Sequence, residues 1–533
     1  MILQALMWGV CVLLVVYVMA TGNDQPHQPS PWIFVLFFIS GFPALIYQIV
    51  WQRALFLVFG VNIESVTIVV TAFIIGLGLG SFLGGQLSTK HVSPLLLFGA
   101  FEIAVGVFGA LSLPLFHWVA RHTFALSTLQ TATLSMLLVT VPTLLMGSTL
   151  PLLVSYLITH STQNVGRSVG KLYFANTLGS ALACFISAHL TMGLLGQSGS
   201  VWLACVLNLS VGAAVLTIWF HLLDKPPLAA QPTEHGENSA PIPLPAAHAP
   251  VPNIPFSLAT LTAGLVGFIA LAYEIVWYRL YSFVLGGRAL SFAMLLGAYL
   301  MGIAYGSLVA ESLCRKQEEA GTRLHVGLIG WLIVLFNVIG FLVASVMANL
   351  VGIIGAAAPL LPIGLAAGCL GSTFPLIAHL SVARDRRAGA GVSYLYLSNM
   401  IGSALGSFVV GFLLMDVWPV RSISVGLVVL GIAVGLCLVG VSKATARHLA
   451  TVGLMFVIAV AAIPPTAKIL YSNIYEKLLY KGAFSKGPRF RFVVENKSGV
   501  IAVSEDDTVY GGGVFDGRFN VDPINDRNLI VRC

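Results

Sequence analysis

Charged residues are scarce in this chain of 533 residues: they make up 9% of the sequence, against about 25% in ordinary globular proteins. So little charge excludes a soluble enzyme with a single core and an intrinsically disordered chain. Hydrophobic residues make up 57%, and the mean hydropathy is +0.92. They form continuous runs of about 18 to 25 residues, which exclude the short alternating segments of a membrane barrel and predict membrane-spanning helices.

Sequence patterns that bind metals are also missing. The seven cysteines form no Cys-x-x-Cys pair and no cluster with histidine, so we expect them to pack as small apolar side chains. The net charge of +7 comes from basic residues scattered through short loops. Such residues set the orientation of a membrane protein, so we expect no nucleic-acid partner. Because the metal-binding patterns are missing, we also expect no metal site.

Hydropathy windows of about 19 residues predict spans in two sets. The predicted spans lie near residues 3–20, 31–59, 64–87, 94–119, 131–158, 169–196, 198–222, 257–285, 290–312, 324–348, 350–381, 392–416, 421–441 and 448–464. Proline-rich residues 223–256 separate the two sets and predict a stiff, mobile linker. The last run is short, so lying in the membrane interface is an alternative to crossing.

Loop charges predict the orientation. Twelve Lys and Arg residues, including Arg167, Lys171 and Arg315, are assigned to loops on one side, and three to loops on the other. Because basic loops stay in the cytoplasm, we expect the linker 223–256 to be cytoplasmic. No Lys or Arg precedes the first run, so we expect an uncleaved anchor and an N-terminus outside.

The chain contains an internal duplication. The segment Gly41–Arg53 recurs as Gly267–Arg279, with Tyr, Trp and Arg in register, and Gly147–Leu152 recurs as Gly371–Leu376. Each copy holds six predicted spans, so both copies enter the membrane from the same side. The predicted fold is an all-α polytopic membrane protein of two parallel six-helix repeats plus flanking helices, with a short C-terminal β segment. The repeats resemble the two halves of major-facilitator-type transporters.

These patterns divide the chain into six segments. They are an N-terminal anchor helix and loop (1–30), the first six-helix repeat (31–222), the linker (223–256), the second six-helix repeat (257–441), an extra short helix that crosses the membrane or lies in its interface (442–464), and the start of a soluble β-domain (465–533).

A stripe of small residues marks the second span of each repeat. Gly76 and Gly80 lie about one helical turn apart, and Gly302 and Gly306 are their counterparts. Small side chains let helices approach closely in lipid, so we favour helix packing, with a substrate path as the alternative.

Polar side chains inside spans are costly and are candidate functional groups. The duplicated motif supplies three positions in each copy: Gln48, Trp51 and Arg53, then Glu274, Trp277 and Arg279. We favour anchoring at the membrane interface and bonding between helices for this motif, with the lining of a cavity as the alternative.

Three further polar residues lie inside spans. Glu102 lies about eight residues into its span, and Asn176 and Asn399 are a matched pair. A hydrogen bond between helices is the favoured role of the asparagines. The alternative is a substrate site formed by these three residues with Gln48 and Glu274.

The sequence becomes more polar after Pro464. Residues 490–494 and 500–503 predict strands, and Gly511–Gly513 predicts a turn. With the paired motif spans, this tail resembles the bacterial membrane proteins in which a transporter-like helical region is fused to a spermidine-synthase-like domain.

Three tail residues carry part of that resemblance. Asp516 and Gly517 match an Asp-Gly turn of the family, and Asn520 stands near the place of a glutamine. The resemblance implies a protein of a bacterial inner membrane and an aminopropyltransferase that uses decarboxylated S-adenosylmethionine. Its cofactor loop and catalytic carboxylate would lie beyond Cys533, so we expect no cofactor and no catalytic residue in this chain. We favour a truncated enzyme part, with a member that has lost catalysis as the alternative.

Three functions follow as hypotheses. The first is a membrane-fused spermidine-synthase-like protein whose catalytic domain is incomplete. The alternatives are a secondary transporter of small cationic or amphipathic solutes and a non-catalytic membrane scaffold. The expected partners are the lipid bilayer and a polyamine or another small molecule.

Overall fold

The computed structural model describes residues 31–59, 63–122, 128–161, 163–223, 254–288, 290–320, 324–442 and 445–518. The predicted anchor near residues 3–20, residues 224–253 of the linker, and Asn520 lie outside these stretches. Within them, thirteen helices are long and apolar enough to cross a membrane.

Twelve of these helices form the two repeats. The first repeat contains α1 (Trp32–Phe59), α2 (Ile63–Ser88), α3 (Pro94–His122), α4 (Thr128–His160), α5 (Val165–Ile186) and α6 (Gly196–Leu223). The second contains α7 (Phe256–Val284), α8 (Leu290–Ala320), α9 (Val326–Ile354), α10 (Leu360–Ser381), α11 (Ala388–Phe408) and α12 (Val420–Ser442). The predicted helical membrane fold is confirmed.

The two repeats contact each other through matching helices. α2 packs against α11 and α5 packs against α8, so the second helix of each repeat meets the fifth helix of the other. Within each repeat the first helix packs against the fifth, the second against the fourth, and the third against the sixth. Such matched roles are expected of parallel repeats related by an axis along the membrane normal.

The fifth helix of each repeat ends in the same unusual way. α5 continues into a π-helical segment at Ser187–Thr191, and α11 continues into one at Val409–Leu414. π-helical segments are rare in proteins. Their recurrence at matching places therefore shows that the duplication extends to local backbone geometry.

Glycines permit the closest helix contacts. The stripe glycines all face the fourth helix of their own repeat: Gly76, Gly80, Gly302 and Gly306. A β-carbon added to any of them would lie within 2.1 Å of an atom of that helix. Hydroxyls reinforce the contact, since Ser148 Oγ donates to the Gly80 carbonyl at 2.7 Å and Ser372 Oγ donates to the Gly306 carbonyl at 2.9 Å.

An extra helix follows the second repeat. α13 (Ala446–Leu470) has 25 residues, enough to cross a hydrocarbon core of about 30 Å. The predicted end of this helix at Pro464 is wrong, because Pro464 and Pro465 both lie inside it. Of its side chains, Ile463 and Ala467 alone are buried in protein, so nearly the whole apolar helix faces outwards.

A small sheet ends the described part of the chain. It follows α14 (Ile474–Tyr480) and a 3₁₀ turn (Lys481–Ala483). Its strands are β1 (Phe490–Asn496), β2 (Gly499–Ser504), β3 (Thr508–Gly511) and β4 (Val514–Arg518), which pair as an antiparallel meander in chain order. The strands predicted near residues 490 and 500 are confirmed.

The last turn of the meander lies where the sequence predicts it, at Gly511–Gly513, and not at the Asp-Gly pair. Gly512 and Gly513 join β3 to β4 with φ angles of 57° and 85°, a region that favours glycine. Asp516 and Gly517 lie within β4. The Asp-Gly turn implied by the resemblance is therefore wrong at these positions.

The sheet is docked on one end of the second repeat. The buried Arg279 guanidinium, near the end of α7, donates to the carbonyl oxygens of Asn496 and Gly499, the latter at 2.5 Å. The Val420 amide at the start of α12 donates to the Glu495 carboxylate at 2.9 Å. Since α7 begins at the linker, these contacts place the sheet at the end of the bundle opposite to the linker.

Candidate functional site between the repeats

A cavity of about 220 Å³ lies between the two repeats. Both repeats line it, through α1, α2 and α5 on one side and α7, α8 and α11 on the other, among further helices. The five residues predicted as a substrate site all line this cavity: Gln48, Glu102, Asn176, Glu274 and Asn399. The structure brings them together, and substrate binding by them stays a prediction.

Glu102 is held by two hydrogen-bond donors from other helices. The side chain is buried, with 3% of its surface exposed. Ser40 Oγ of α1 donates to Glu102 Oε1 at 2.6 Å, and Asn208 Nδ2 of α6 donates to Oε2 at 2.8 Å. Hydrogen bonds to a carboxylate are short and strong, so these two donors fix its position at the cavity wall.

Glu274 and Gln48 occupy matching positions in the two repeats but differ in charge. Both side chains are buried and line the cavity. Among the described residues, no side chain donates a hydrogen bond to the Glu274 carboxylate or forms an ion pair with it. A buried carboxylate is unfavourable unless a cation or a proton neutralises it. Glu274 is therefore the group in this cavity that most needs a cation or a proton as its partner.

The matched asparagines connect the fifth helix of each repeat to the first. Asn176 Nδ2 donates to the Phe37 carbonyl at 3.2 Å, and Asn399 Nδ2 donates to the Ala263 carbonyl at 2.9 Å. The favoured hydrogen bond between helices is thus present in both repeats. Both residues also line the cavity, so the two roles coexist.

Aromatic rings form part of the cavity wall. Tyr173 of α5 and Tyr396 of α11 each pack against Phe374, with ring centroids 5.7 Å apart in both pairs. These tyrosines are not among the site residues predicted from the sequence. A signal was present, because each precedes its cavity asparagine by three positions and so shares a helix face with it. Aromatic faces attract cations.

The charged groups of the cavity have one sign. Its lining contains the carboxylates of Glu102 and Glu274, and among the described lining residues there is no Lys, Arg or His. Amides and hydroxyls supply the other polar groups. This lining fits a cation better than an anion. The described part of the chain contains no group of His, Cys, Asp and Glu that could hold a metal ion.

The tryptophans and arginines of the duplicated motif are outside the cavity lining. Trp51 and Trp277 are each 1% exposed, so the expected position at the lipid interface is wrong for both. Trp277 Nε1 donates to the Gly340 carbonyl at 3.2 Å, a bond between helices. Arg279 binds the sheet rather than reaching the headgroups, while Arg53 Nε is buried without a hydrogen-bond partner among the described residues.

An ion-pair network joins the repeats at the linker end of the bundle. Glu311 of α8 lies 3.2 Å from Arg167 Nε and 4.0 Å from Lys171 Nζ, both on α5, and 3.9 Å from Arg315 Nε. Assigning these three cations to loops was wrong, since all three lie in helices. The network bridges α5 and α8, one of the two main contacts between the repeats.

The sequence profile of the Major Facilitator Superfamily matches residues 33–407, more than half of the chain. The chain belongs to this superfamily. Major facilitator proteins bind their substrates at the interface between the two halves, where this cavity lies. None of the curated proteins matches the chain. The profile ends before the tail, and no comparison supports the resemblance of the tail to spermidine synthases.

Proposed function

We propose that the protein is a secondary transporter of small organic cations, with the cavity between the repeats as its substrate site. The observation that carries this proposal is the pair of buried carboxylates, Glu102 and Glu274, in a lining without basic side chains among the described residues. Ionisable groups inside a membrane domain mark substrate or ion paths, because burying them serves no purpose in packing.

The two carboxylates have different roles in this proposal. Glu102 already accepts two hydrogen bonds, so it is a fixed acceptor group of the wall. Glu274 lacks such donors, so an ammonium group of the substrate supplies the missing ones. The rings of Tyr173 and Tyr396 add attraction for the same cation.

Alternating access follows from the repeat architecture. The two halves rock around the cavity, which opens in turn to each side of the membrane. The Glu311 network holds α5 and α8 together at the linker end and must break for that end to open. With the linker in the cytoplasm, as the loop charges predict, this is the cytoplasmic entrance.

Uptake into proteoliposomes tests the proposal. The panel contains a monoamine, a diamine, a quaternary ammonium compound, a neutral sugar and a carboxylate. We expect uptake of at least one cation, and a loss of about tenfold or more in the Glu274→Gln variant, since a hydrogen bond to a charged group contributes about 1.5–3 kcal/mol. Glu505→Gln, at an exposed tail position, is the matched control.

Uptake of the carboxylate or the sugar alone would contradict the proposal. So would cation uptake that is unchanged when Glu102→Gln and Glu274→Gln are combined. A non-catalytic scaffold would show no uptake of any compound by correctly folded protein. The polar cavity lined by both repeats favours transport over that alternative.

A further inference from the structure

Five cations collect where α13 ends and the sheet begins. Lys477 lies in α14, Lys481 in the 3₁₀ turn, Lys486 and Arg489 between that turn and β1, and Arg491 within β1. We call this group the basic collar. Four of the five side chains are exposed, and Lys477 is half-buried.

In the described part of the chain, no acidic side chain is ion-paired with the basic collar, although Glu505, whose backbone amide donates to the Arg489 carbonyl at 2.9 Å, lies beside it. Glu476 is the single acidic residue between positions 465 and 494, and it is buried. Among the described residues, no carboxylate forms an ion pair with any of the five cations. The five cations are therefore available to an external anion.

Aromatic rings lie among these cations. Arg489 Cζ is 4.5 Å and Lys477 Nζ is 6.0 Å from the centroid of the Phe484 ring, and Arg491 Cζ is 5.3 Å from that of Phe492. Phe492 is 57% exposed. Basic and aromatic side chains together are typical of the level where lipid headgroups meet the hydrocarbon.

The position of α13 places the basic collar at that level. This helix exposes Leu449, Leu454, Val457 and Ile458, each at half or more of its surface, so it faces lipid. α14 begins four residues after α13 ends. The 3₁₀ turn is pressed against the end of α9, where a β-carbon on Gly352 would lie 2.8 Å from the Gly482 nitrogen. This contact holds the 3₁₀ turn against the end of the helical bundle.

We propose that the basic collar binds the headgroups of anionic phospholipids in the leaflet opposite to the linker. Each Lys or Arg near an anionic membrane surface contributes to the attraction, and five unpaired cations together form a lipid-binding surface. Basic residues normally collect in cytoplasmic loops, whereas the basic collar lies on the side opposite to the linker. The orientation of the protein therefore does not account for the charge of the basic collar, and lipid binding does. The proposal is independent of the transported substrate.

Hydrogen–deuterium exchange of the full chain in nanodiscs tests this proposal. One set of nanodiscs contains phosphatidylcholine alone, and the other contains phosphatidylcholine with phosphatidylglycerol. We expect exchange of the amides of residues 481–492 to slow by about fivefold or more in the anionic discs. High salt should remove the difference, since it screens exposed charges.

Two variants and a soluble anion complete the design. Lys481→Gln, Lys486→Gln, Arg489→Gln and Arg491→Gln combined should abolish the lipid effect. The control combines Lys90→Gln, Arg386→Gln and Arg387→Gln at exposed positions of the opposite end, and should keep the effect. Equal exchange in both kinds of disc would overturn the proposal. An equal slowing by dissolved glycerol phosphate in neutral discs would also overturn it, in favour of a site for soluble anions.

Discussion

The two repeats share one scaffold but carry different polar groups. Both use the same helix pairings, the same glycine contacts and the same asparagine bond between the first and fifth helices. Their cavity faces differ. Gln48 in the first repeat stands where the second has Glu274, and Ser40, which binds Glu102, stands where the second has Val266.

This comparison separates packing from function. Residues that hold helices together are kept in both copies because both copies need the same close contacts. Residues that differ between the copies are not needed for these contacts, so their polar groups can take part in substrate recognition. Glu274 corresponds to the uncharged Gln48. The helix that corresponds to that of Glu102 is α9, and it contains no charged residue.

The outer ends of the repeats differ as well. Arg279 Nη2 donates to two carbonyls of the sheet, whereas the Arg53 side chain at the matching position forms no hydrogen bond to another described residue. The arginine of the duplicated motif therefore anchors the sheet in the second repeat, a role that its counterpart in the first repeat does not have.

The largest expected effect comes from breaking the shared scaffold. In Gly306→Val, the new side chain would overlap the Gly368 carbonyl oxygen, 2.0 Å from the β-carbon position. We expect a loss of about 3 kcal/mol or more and little monodisperse protein by size-exclusion chromatography. Gly453→Val on α13 is the control, since no atom lies within 4 Å of its β-carbon position. Equal yields for both variants would contradict the packing argument.

Moving the cavity charge from one repeat to the other tests the functional asymmetry. Glu274→Gln should lower cation uptake by about tenfold or more. The double variant Gln48→Glu with Glu274→Gln restores the number of carboxylates at a matching position of the same cavity. We expect part of the uptake to return. A double variant no better than Glu274→Gln would show that the site is not interchangeable between the repeats.

The anchor of the tail gives a smaller effect. Arg279→Met removes the donor to Asn496 and Gly499, and we expect the β1–β2 hairpin to lose about 1.5–3 kcal/mol of local stability. Hydrogen exchange of residues 490–504 measures this loss. The matched variant Arg53→Met should leave that exchange unchanged. Faster exchange in both variants would mean that the arginines act through the helices and not through the sheet.

The smallest effect concerns the asparagines. Asn176→Ala and Asn399→Ala each remove one hydrogen bond between helices, which in membranes contributes about 0.6 kcal/mol on average. We expect small losses of similar size in thermal unfolding of the two variants. A loss several times larger in one variant would show that the repeats do not share this bond equally.

Much of the fold was predictable because lipid imposes simple rules on sequence. Long apolar runs predict helices, and Tyr, Trp and Arg in register reveal duplication even where apolar residues drift. The cavity residues were predictable for the same reason, since Glu102 and Glu274 are costly inside a span without a purpose.

Other features depend on packing and could not be predicted. Ser40 and Asn208 are ordinary residues of apolar helices, and they become partners of Glu102 because α1, α3 and α6 meet there. Arg279 resembled an interfacial anchor because its partners, the carbonyls of Asn496 and Gly499, belong to backbone far along the chain.

The end of α13 and the position of one turn in the sheet were predicted wrongly, because local sequence rules do not hold at these two places. Proline usually ends a helix, yet Pro464 lies inside α13. Asp-Gly usually marks a turn, yet Asp516 and Gly517 lie within β4, after the Gly511–Gly513 turn that the sequence predicts.

Chemical labelling of Glu274 tests the central claim most directly. A carbodiimide that reacts with carboxyl groups in apolar surroundings is added to the full chain in nanodiscs, with each compound of the transport panel in turn, and labelling is read by mass spectrometry. We predict that Glu274 is labelled and that an organic cation slows its labelling, while the neutral sugar and the carboxylate do not. Protection of Glu274 by the carboxylate or the sugar, with no protection by any cation, would contradict the account.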